Sequence, residues 1–537
     1  MRMRACLLLA IAASGLPAQT GARYLIIAND NFYNAVLPLA GWKTRKGMPA
    51  VVVKTSQIGS SSTQIRNYIV NAYNTWNPRP EFVLLVGGPS FIPAFAYGMG
   101  GNRIESDNDY GNISGDYRPE LPCGRFACKT PRQCSTMVAK TLNYERYPNA
   151  GDTLWYRRGT TIVNDSADDD AYIYWNDARS AVSLMTAAGI TVIDSLSSNR
   201  HHNAWSVTQS VNSGTSFVLY RGTGVDYWRI PFDMRPYFST MGNNKHTPIV
   251  CSFTCQTVSL SGYNDSMTGN TWVKLGTPTN LVGAVAVIGN THSASNVAGR
   301  RSAMTRGFFT GVFAESLLHL GNATLRGKLQ IYNEYHDSMD YRGFNLLGDP
   351  ELNIWTGVPR PLAVSYPECF PLGPGAFPVS VTKAGAPLRN ALVCIQSSSG
   401  IYQYGYTDDL GQKSFSINPA VEETLLVTVT ARNCIPHEGS TWLYNPAGVT
   451  ERPAAGRDSP GRLTVSPNPG QARFAILAQP GAVVSIHSSD GRLVWTGAMP
   501  AAGALNWDAS NMPVGIYLVR SVSGAGAAVR RMLQVVR

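Results

Sequence analysis

The chain has no run of lysine and arginine long enough to form a nucleic-acid tail, although its 45 Lys and Arg outnumber its 34 Asp and Glu. A net charge of +11 spread thinly over 537 residues reads as a basic soluble surface, and nucleic acid is not an expected partner. No CxxC or HxxxH spacing occurs, which removes the usual zinc frameworks. Beyond the N-terminus no stretch of 18 or more apolar residues occurs, so no transmembrane helix is expected. Short internal repeats are also missing. The composition is not that of a disordered chain either: 44% hydrophobic with 51 Gly and 33 Pro reads as globular and loop-rich. The length exceeds what one core fills and implies roughly three or four domains.

The N-terminus carries what the rest lacks. Met1-Arg-Met-Arg4 is a positive region, Ala5 to Ala13 a short apolar run, and Leu16-Pro-Ala18 a small-residue cleavage site. Residues 1–18 therefore read as a secretory signal peptide, too short to be a membrane anchor. The mature chain is expected to be secreted, in an oxidising space that permits disulfides. Of nine cysteines, Cys6 leaves with the signal. The trio Cys123, Cys128 and Cys134 can supply one bridge, and Cys394 with Cys434 can staple a β-domain, although spacing alone does not fix pairing.

From residue 23 the pattern alternates. Tyr24-Leu-Ile-Ile-Ala28, Ala50-Val-Val-Val53 and Phe82-Val-Leu-Leu-Val86 read as strands, with helical periodicity between them at Val36, Leu39 and Trp42, then Ile65, Ile69 and Ala72. Strand–helix–strand alternation implies a parallel sheet with right-handed crossovers. A second subdomain begins near Gly151. Its expected elements are a strand at 160–163 ending in Asn164-Asp165, a helix over 177–188, strands at 191–193 and 284–288, and a helix from Phe308 to Leu320.

Chemistry concentrates between Ser216 and Gln256. The buried strand Ser216-Phe-Val-Leu-Tyr220 empties into Arg221-Gly-Thr-Gly224, a turn that sets one side chain between two glycines. After a polar, helix-compatible connection, Ile249-Val-Cys-Ser-Phe253 leads to Thr254-Cys255-Gln256. Neighbouring parallel strands bring both ends to the carboxyl edge of the sheet, where open α/β sheets build their sites. A thiol there is a candidate nucleophile. Cys251, inside the strand, reads as inert core.

Tyr220-x-Gly222-x-Gly224, Trp228 and Cys255 resemble the catalytic core of the gingipain-type cysteine peptidases. So, in the same order, do Leu84-Leu-Val-Gly87, Ser106-Asp-Asn-Asp-Tyr110, Gly124-Arg-Phe126, Tyr144-Glu145 and Leu346-Leu-Gly-Asp-Pro350. The resemblance spans about Tyr24 to Trp355. It implies a two-part, caspase-like, three-layer α/β/α catalytic unit (residues 23–150 and 151–357) and a protein or peptide substrate. It implies Cys255 as nucleophile, the catalytic His between Gly222 and Gly224, and Asp165 as counterpart of the acid that orients that His; backbone N–H groups near Cys255 and Gly222 are candidates for the oxyanion site, since glycine permits close approach. Thr223 stands where that His belongs, and Gly88 stands where the family tends to have an acid. The family's long pro-domain is not expected, since the unit begins directly after the signal.

Threonine cannot act as a base near neutrality, so three readings stand. Another His replaces it, with His292 at the end of the next strand the first candidate, ahead of His201 and His202; His246 belongs at the opposite edge. Alternatively Cys255 is a thiol assisted only by a helix N-terminus or an arginine such as Arg221. The third reading is an inactive pseudopeptidase that binds peptides or acts as a surface adhesin. No cofactor is required; Asp107, Asp109 and Asp116 are candidate ligands for a structural calcium.

After Val358 the pattern changes to short alternating strands, such as 377–382, 391–395 and 425–430, and an immunoglobulin-like β-sandwich is expected over 358–445. Residues 446–461 read as a Pro/Ala/Gly-rich linker. The last piece, 462–537, resembles the C-terminal sorting domain of the type IX secretion system. Its motifs are Leu463-Thr-Val-Ser-Pro-Asn-Pro469, Asp490-Gly-Arg492, Pro513-Val-Gly-Ile-Tyr517 and a short basic final strand. This implies that secretion machinery as a partner, with surface attachment or release.

Overall fold

Five-residue runs of Leu, Ile, Val and Phe recur along the first 350 residues, and a strand apolar on both faces is stable only between two helical layers. The computed structural model describes residues 19–98, 103–148, 151–166, 169–261, 266–294, 297–446, 463–468, 470–488, 492–523 and 528–536. The expected signal peptide, nearly all of the expected linker, Pro469 and Asp490 lie outside the described residues.

Ten strands form one sheet: β1 (Tyr24–Ala28), β2 (Ala50–Lys54), β3 (Phe82–Val86), β4 (Cys123–Phe126), β5 (Arg158–Val163), β6 (Val192–Ser197), β7 (Phe217–Arg221), β8 (Ile249–Ser252), β9 (Ala286–Asn290) and β10 (Phe344–Leu347). Their order is β6-β5-β7-β8-β9-β10-β4-β3-β1-β2. The two sequence subdomains are thus halves of one continuous sheet. β10 closes the seam, antiparallel to β9 and bridged to β4 at Leu347 and Arg125.

Helices cover both faces. α1 (Tyr33–Arg45), α3 (Pro131–Glu145) and α5 (Ala204–Asn212) lie on one; α2 (Ser62–Thr75), α4 (Ala171–Ala187), α6 (Ala298–Phe313) and α7 (Leu320–Tyr335) lie on the other. Successive residues of β7 serve opposite layers: Val218 and Tyr220 pack with Trp228 and Trp272, while Phe217 and Leu219 pack with Phe308 and Phe309. This is the expected three-layer α/β/α body.

Three local expectations are corrected. The helix expected over 308–320 spans Ala298–Phe313, because His319 instead bridges to Asn353 and ends the connection to α7. The segment after Gly224 is not an α-helix. Gly224–Val225 pairs antiparallel with Tyr227–Trp228, and a 3-10 turn follows at Arg235–Thr240. No bridge joins the described cysteines, all eight of which are free. Cys394 donates to Thr44 O at 3.8 Å and Cys434 to Arg432 O at 3.3 Å, so neither thiol faces the other.

Residues 363–444 form two further sheets, of four and five strands, that share a core of Phe377, Val393, Phe415, Val427 and Leu443. This β-layered part docks on the α/β body: Arg146 makes a bidentate pair with Glu438 at 2.7 Å for each bond. The chain divides into two compact units at Pro446 and Ala447. The second is all-β, with sheets of three and four strands around Phe474, Ile486, Trp507 and Val519. Among the described residues, no helix is long and apolar enough to cross a membrane.

Candidate active site

β7 and β8 pair in parallel, Tyr220 opposite Ser252, so Thr223 and Cys255 leave the sheet at the same carboxyl edge. The loop carrying Cys255 is fixed from several sides. Arg221 donates to Phe253 O. Thr254 Oγ1 donates to Gly222 O at 2.6 Å. Gln256 N reaches His292 O and Thr257 N reaches Asn290 O, both at 3.0 Å. The opposing turn is equally held: Tyr220 Oη and Arg229 N both donate to Thr223 O, at 2.7 and 3.1 Å. Tyr220 stacks on Trp228 with ring centroids 4.6 Å apart, and Trp228 Nε1 donates to Ser252 Oγ at 2.8 Å.

The glycines flanking Thr223 are required by crowding. A Cβ on Gly222 would lie 2.6 Å from Asn164 Cβ, and one on Gly224 would lie 2.8 Å from Tyr227 O.

The half-buried Cys255 opens into a cavity of about 330 Å³ whose wall includes Asp169, Asp170, Gly222, Thr223 and Arg301. Arg301 Nη1 donates to Cys255 Sγ at 2.8 Å, while the sulfur lies 3.8 Å from Ala294 O. Arg301 is only 4% exposed. Its Nη2 stands 3.8 Å from Asp340 Oδ1, and the same oxygen accepts from His292 Nδ1 and Asn290 Nδ2, each at 2.9 Å. Burial opposes the charge of Asp340, but the His292 hydrogen bond and the Arg301 guanidinium outweigh it and hold this carboxyl below its ordinary value. Cys255, Arg301, Asp340 and His292 therefore form one connected chain.

Several sequence expectations move. His292 is buried at 5% exposure and bonded to Asp340, and it is not part of the cavity wall that presents Cys255. Arg221 lines the same cavity as Cys255, but its guanidinium is engaged elsewhere. Its guanidinium is buried against Asp177 at 2.6 Å, Phe253 O and Ala298 O, because a strand-end arginine in a dry layer must find acceptors for its fork. Arg301, which sequence reading missed, holds the place beside the sulfur.

Asp165 is not in the cavity wall. It accepts from Ser197 Oγ, Ser198 Oγ, Asn199 N and Trp175 Nε1. Burial opposes that charge, but these donors outweigh it and draw the carboxyl down to about 2. Exposed His201 lies on the turn after β6, and half-buried His202 places Nδ1 3.2 Å from Ser197 N. His246 pairs with Asp152 at 3.1 Å.

The expected calcium ligands do not gather. Asp107 is paired with Arg125 at 2.6 Å, Asp109 with Tyr97 and Asn112, and Asp116 with Arg118. Each carboxylate already has its own partner. Among the described residues, Glu145, Asp349 and Glu351 form an acidic group with oxygens within 4.8 Å of one another. Lys43 Nζ sits among them at 2.8, 2.6 and 2.5 Å, so an ammonium already supplies the cation. That group lies at the opposite edge from Cys255: Asp349 is two residues past Leu347, which pairs with Val287 near the start of β9.

Comparison with known proteins places this geometry. The family model described as Peptidase family C25 matches residues 17–355. Gingipain R2 of Porphyromonas gingivalis is 23% identical over 382 residues, covering 68% of this chain and 50% of that protein. Lys-gingipain of the same species is 22% identical over 459 residues, covering 78% of this chain and 25% of that one. The chain thus spans half or less of the length of these curated relatives. Among solved structures, the Arg-specific cysteine proteinase gingipain R superposes with a TM-score of 0.70 at 20% identity, covering 80% of this chain and 100% of the other. The complex of Porphyromonas gingivalis RgpB pro- and mature domains superposes at 0.69 and 20% identity, covering 79% and 100%. At these identities the structures establish the caspase-like fold.

Proposed function

Because the chain belongs to Peptidase family C25, we propose that it is an exported cysteine-type peptidase acting on extracellular proteins, with Cys255 as nucleophile. The observation that carries this reading is the position of Cys255: a half-buried thiol at the carboxyl edge of the sheet, open to a cavity of about 330 Å³, with a guanidinium 2.8 Å from its sulfur. A thiolate is the attacking form of cysteine, and neighbouring positive charge favours it. Asp169 and Asp170 in the cavity wall suit a basic side chain on the acyl side of the scissile bond, in keeping with relatives named for arginine and lysine. In this reading residues 1–18 direct export, 358–445 form an immunoglobulin-like support, and 462–537 serve type IX secretion and surface attachment.

A second reading is favoured by Thr223, which offers no base: a pseudopeptidase that binds peptides without cutting them. Casein digestion by the full chain and its Cys255→Ala variant separates the two. Digestion lost in the variant supports the peptidase. No digestion by either, with a labelled lysine-containing peptide bound equally by both, establishes the binder.

A further inference from the structure

We propose that one face of the all-β second unit docks on an anionic lipid bilayer, with an apolar row that enters the lipid and a pair of arginines that meets its phosphates. The inference deepens the surface attachment proposed for residues 462–537 and is independent of what Cys255 does. Four strands build the face: β11 (Val483–Ser488), β12 (Leu493–Ala498), β13 (Gly515–Val522) and β14 (Ala528–Val535). They are hydrogen-bonded in the order β12-β11-β13-β14. Side chains alternate along a strand. Val519 and Leu533 point into the core with Phe474 and Trp507, so Leu518, Arg520 and Met532 beside them point the other way.

Register shows what the outward face brings together. Leu493 lies opposite His487, His487 opposite Leu518, and Leu518 opposite Met532, which makes one row across all four strands. Leu493, Leu518 and Met532 are 52, 37 and 51% exposed, and Ile516 beside the row is 53% exposed. Scattered exposed apolar side chains are ordinary, but a contiguous row of them on an open face marks an interaction site. Two residues along from the row, Arg520 lies opposite Arg530. Like charges directly opposite one another on a sheet repel. No acid of the unit relieves them: Asp508, the only carboxylate among its described residues, pairs with Arg473 on the other sheet at 3.7 Å. Arg520 Nε is shielded from solvent and has no acceptor among the described residues.

The occupant follows from this chemistry. From residue 463 onward the sequence has six Arg, no Lys or Glu, and two Asp, so the unit carries excess positive charge. An arginine pair beside a flat apolar row matches a surface that offers phosphates at headgroup level and hydrocarbon just beneath. Guanidinium forks bind phosphate oxygens in pairs. Interfacial binding grows with the apolar area buried and with attraction to anionic headgroups. A second copy fits less well, because face-to-face pairing would bring four arginines together without a counter-charge.

The test is co-flotation of the full chain with vesicles of two parts phosphatidylcholine to one of phosphatidylglycerol, and with vesicles of phosphatidylcholine alone. Binding is expected to the anionic vesicles and should weaken as salt is raised. Arg520→Gln combined with Arg530→Gln should lower the partition about tenfold or more. Leu518→Ser combined with Met532→Ser should lower it by about the same factor. Arg473→Gln, which removes a charge from the other sheet, should leave it within about twofold of the parent. Melting curves check that each variant is folded. No binding to the anionic vesicles overturns the inference. So does a loss in Arg473→Gln equal to that of the paired arginine variant, since net charge alone would then be acting, or unchanged binding after the Leu518 and Met532 substitutions. A dimer in sedimentation velocity that Leu518→Ser dissociates, with no vesicle binding, overturns it in favour of a second copy. Each of these results leaves surface attachment itself standing, which is read separately from whether the exported chain stays with washed cells.

Discussion

Replacing Thr223 by histidine tests the reasoning at its centre. The backbone at this position is anchored by two hydrogen bonds to Thr223 O, from Tyr220 Oη at 2.7 Å and Arg229 N at 3.1 Å, so the substitution changes the side chain and not the turn. The position is half-buried in the wall of the cavity that Cys255 enters, so an imidazole can be added without burying it in the core. A positioned acid–base is worth about 10²–10⁴-fold. Arg301 already engages the sulfur at 2.8 Å and competes with the new ring, so the lower end is expected: about 10²-fold faster hydrolysis of the lysine p-nitroanilide, or roughly 3 kcal/mol off the barrier at about 1.36 kcal/mol per tenfold. Thr223→His combined with Cys255→Ala is the blank, and thermal melting of each variant checks the fold. A well-folded Thr223→His that cleaves the anilide no faster than the parent would refute the claim that the missing imidazole at position 223 limits this site.

The remaining predictions concern the scaffold. Lys43→Met leaves Glu145, Asp349 and Glu351 facing one another without the ammonium that touches all three. Breaking a buried ion pair in this way costs about 3–5 kcal/mol, read as a lower urea midpoint, and Lys43→Met combined with Glu351→Gln should recover part of the loss. Burial opposes the charges of Glu145 and Glu351, but the lysines outweigh it and hold both carboxyls below their ordinary value. Their contribution is therefore complete above about pH 4.3 and is lost as pH falls through the lower folded values. Asp349, raised by burial first, works in the opposite sense and offsets part of this gain as pH rises, so urea midpoints should fall between about pH 5 and pH 3 by less than the two glutamates alone would give. Arg221→Lys keeps the charge but cannot satisfy Asp177, Phe253 O and Ala298 O together; the expected result is both a lower melting temperature and at least tenfold slower iodoacetamide labelling of Cys255. Arg146→Ala removes a partly exposed pair with Glu438, so the expected loss is at most about 1 kcal/mol, seen in the same urea titration.

The sheet was legible because its strands announce themselves. Tyr24–Ala28, Phe82–Val86 and Phe217–Arg221 are buried at every position, and such runs between helical stretches have few alternatives to a covered parallel sheet. Cys255 and the Gly222-Thr223-Gly224 turn were legible for the related reason that they follow directly from strand ends. Arg301 was not. It lies 46 residues beyond Cys255 on a helix whose residues are buried around most of its circumference, so no amphipathic periodicity marks where that helix starts. The adjacent pair Arg300-Arg301 near the start of the helix is the trace it leaves in sequence: Arg300 pairs outward with Asp337 at 2.7 Å, while Arg301 turns inward. The contact between His292 and Asp340 was hidden for a similar reason. Strand register puts His292 at the correct edge, but register does not say which way a ring turns, and Asp340, 48 residues later, supplies the acceptor that draws it inside.

Arg221 joins these observations. Its place at the end of β7 suggested a partner for the thiol, and its actual contacts give it a wider role. One guanidinium holds Asp177 of α4, the carbonyl of Phe253 two residues before the nucleophile, and the carbonyl of Ala298 at the start of the helix that carries Arg301. A planar fork with fixed angles between its donors sets the spacing of whatever accepts from it. The 2.8 Å contact between Arg301 and Cys255 is therefore supported by a second arginine, whose hydrogen bonds go to Asp177, Phe253 O and Ala298 O. Because the two arginines divide the work, the absence of an imidazole at position 223 leaves the nucleophile's placement untouched.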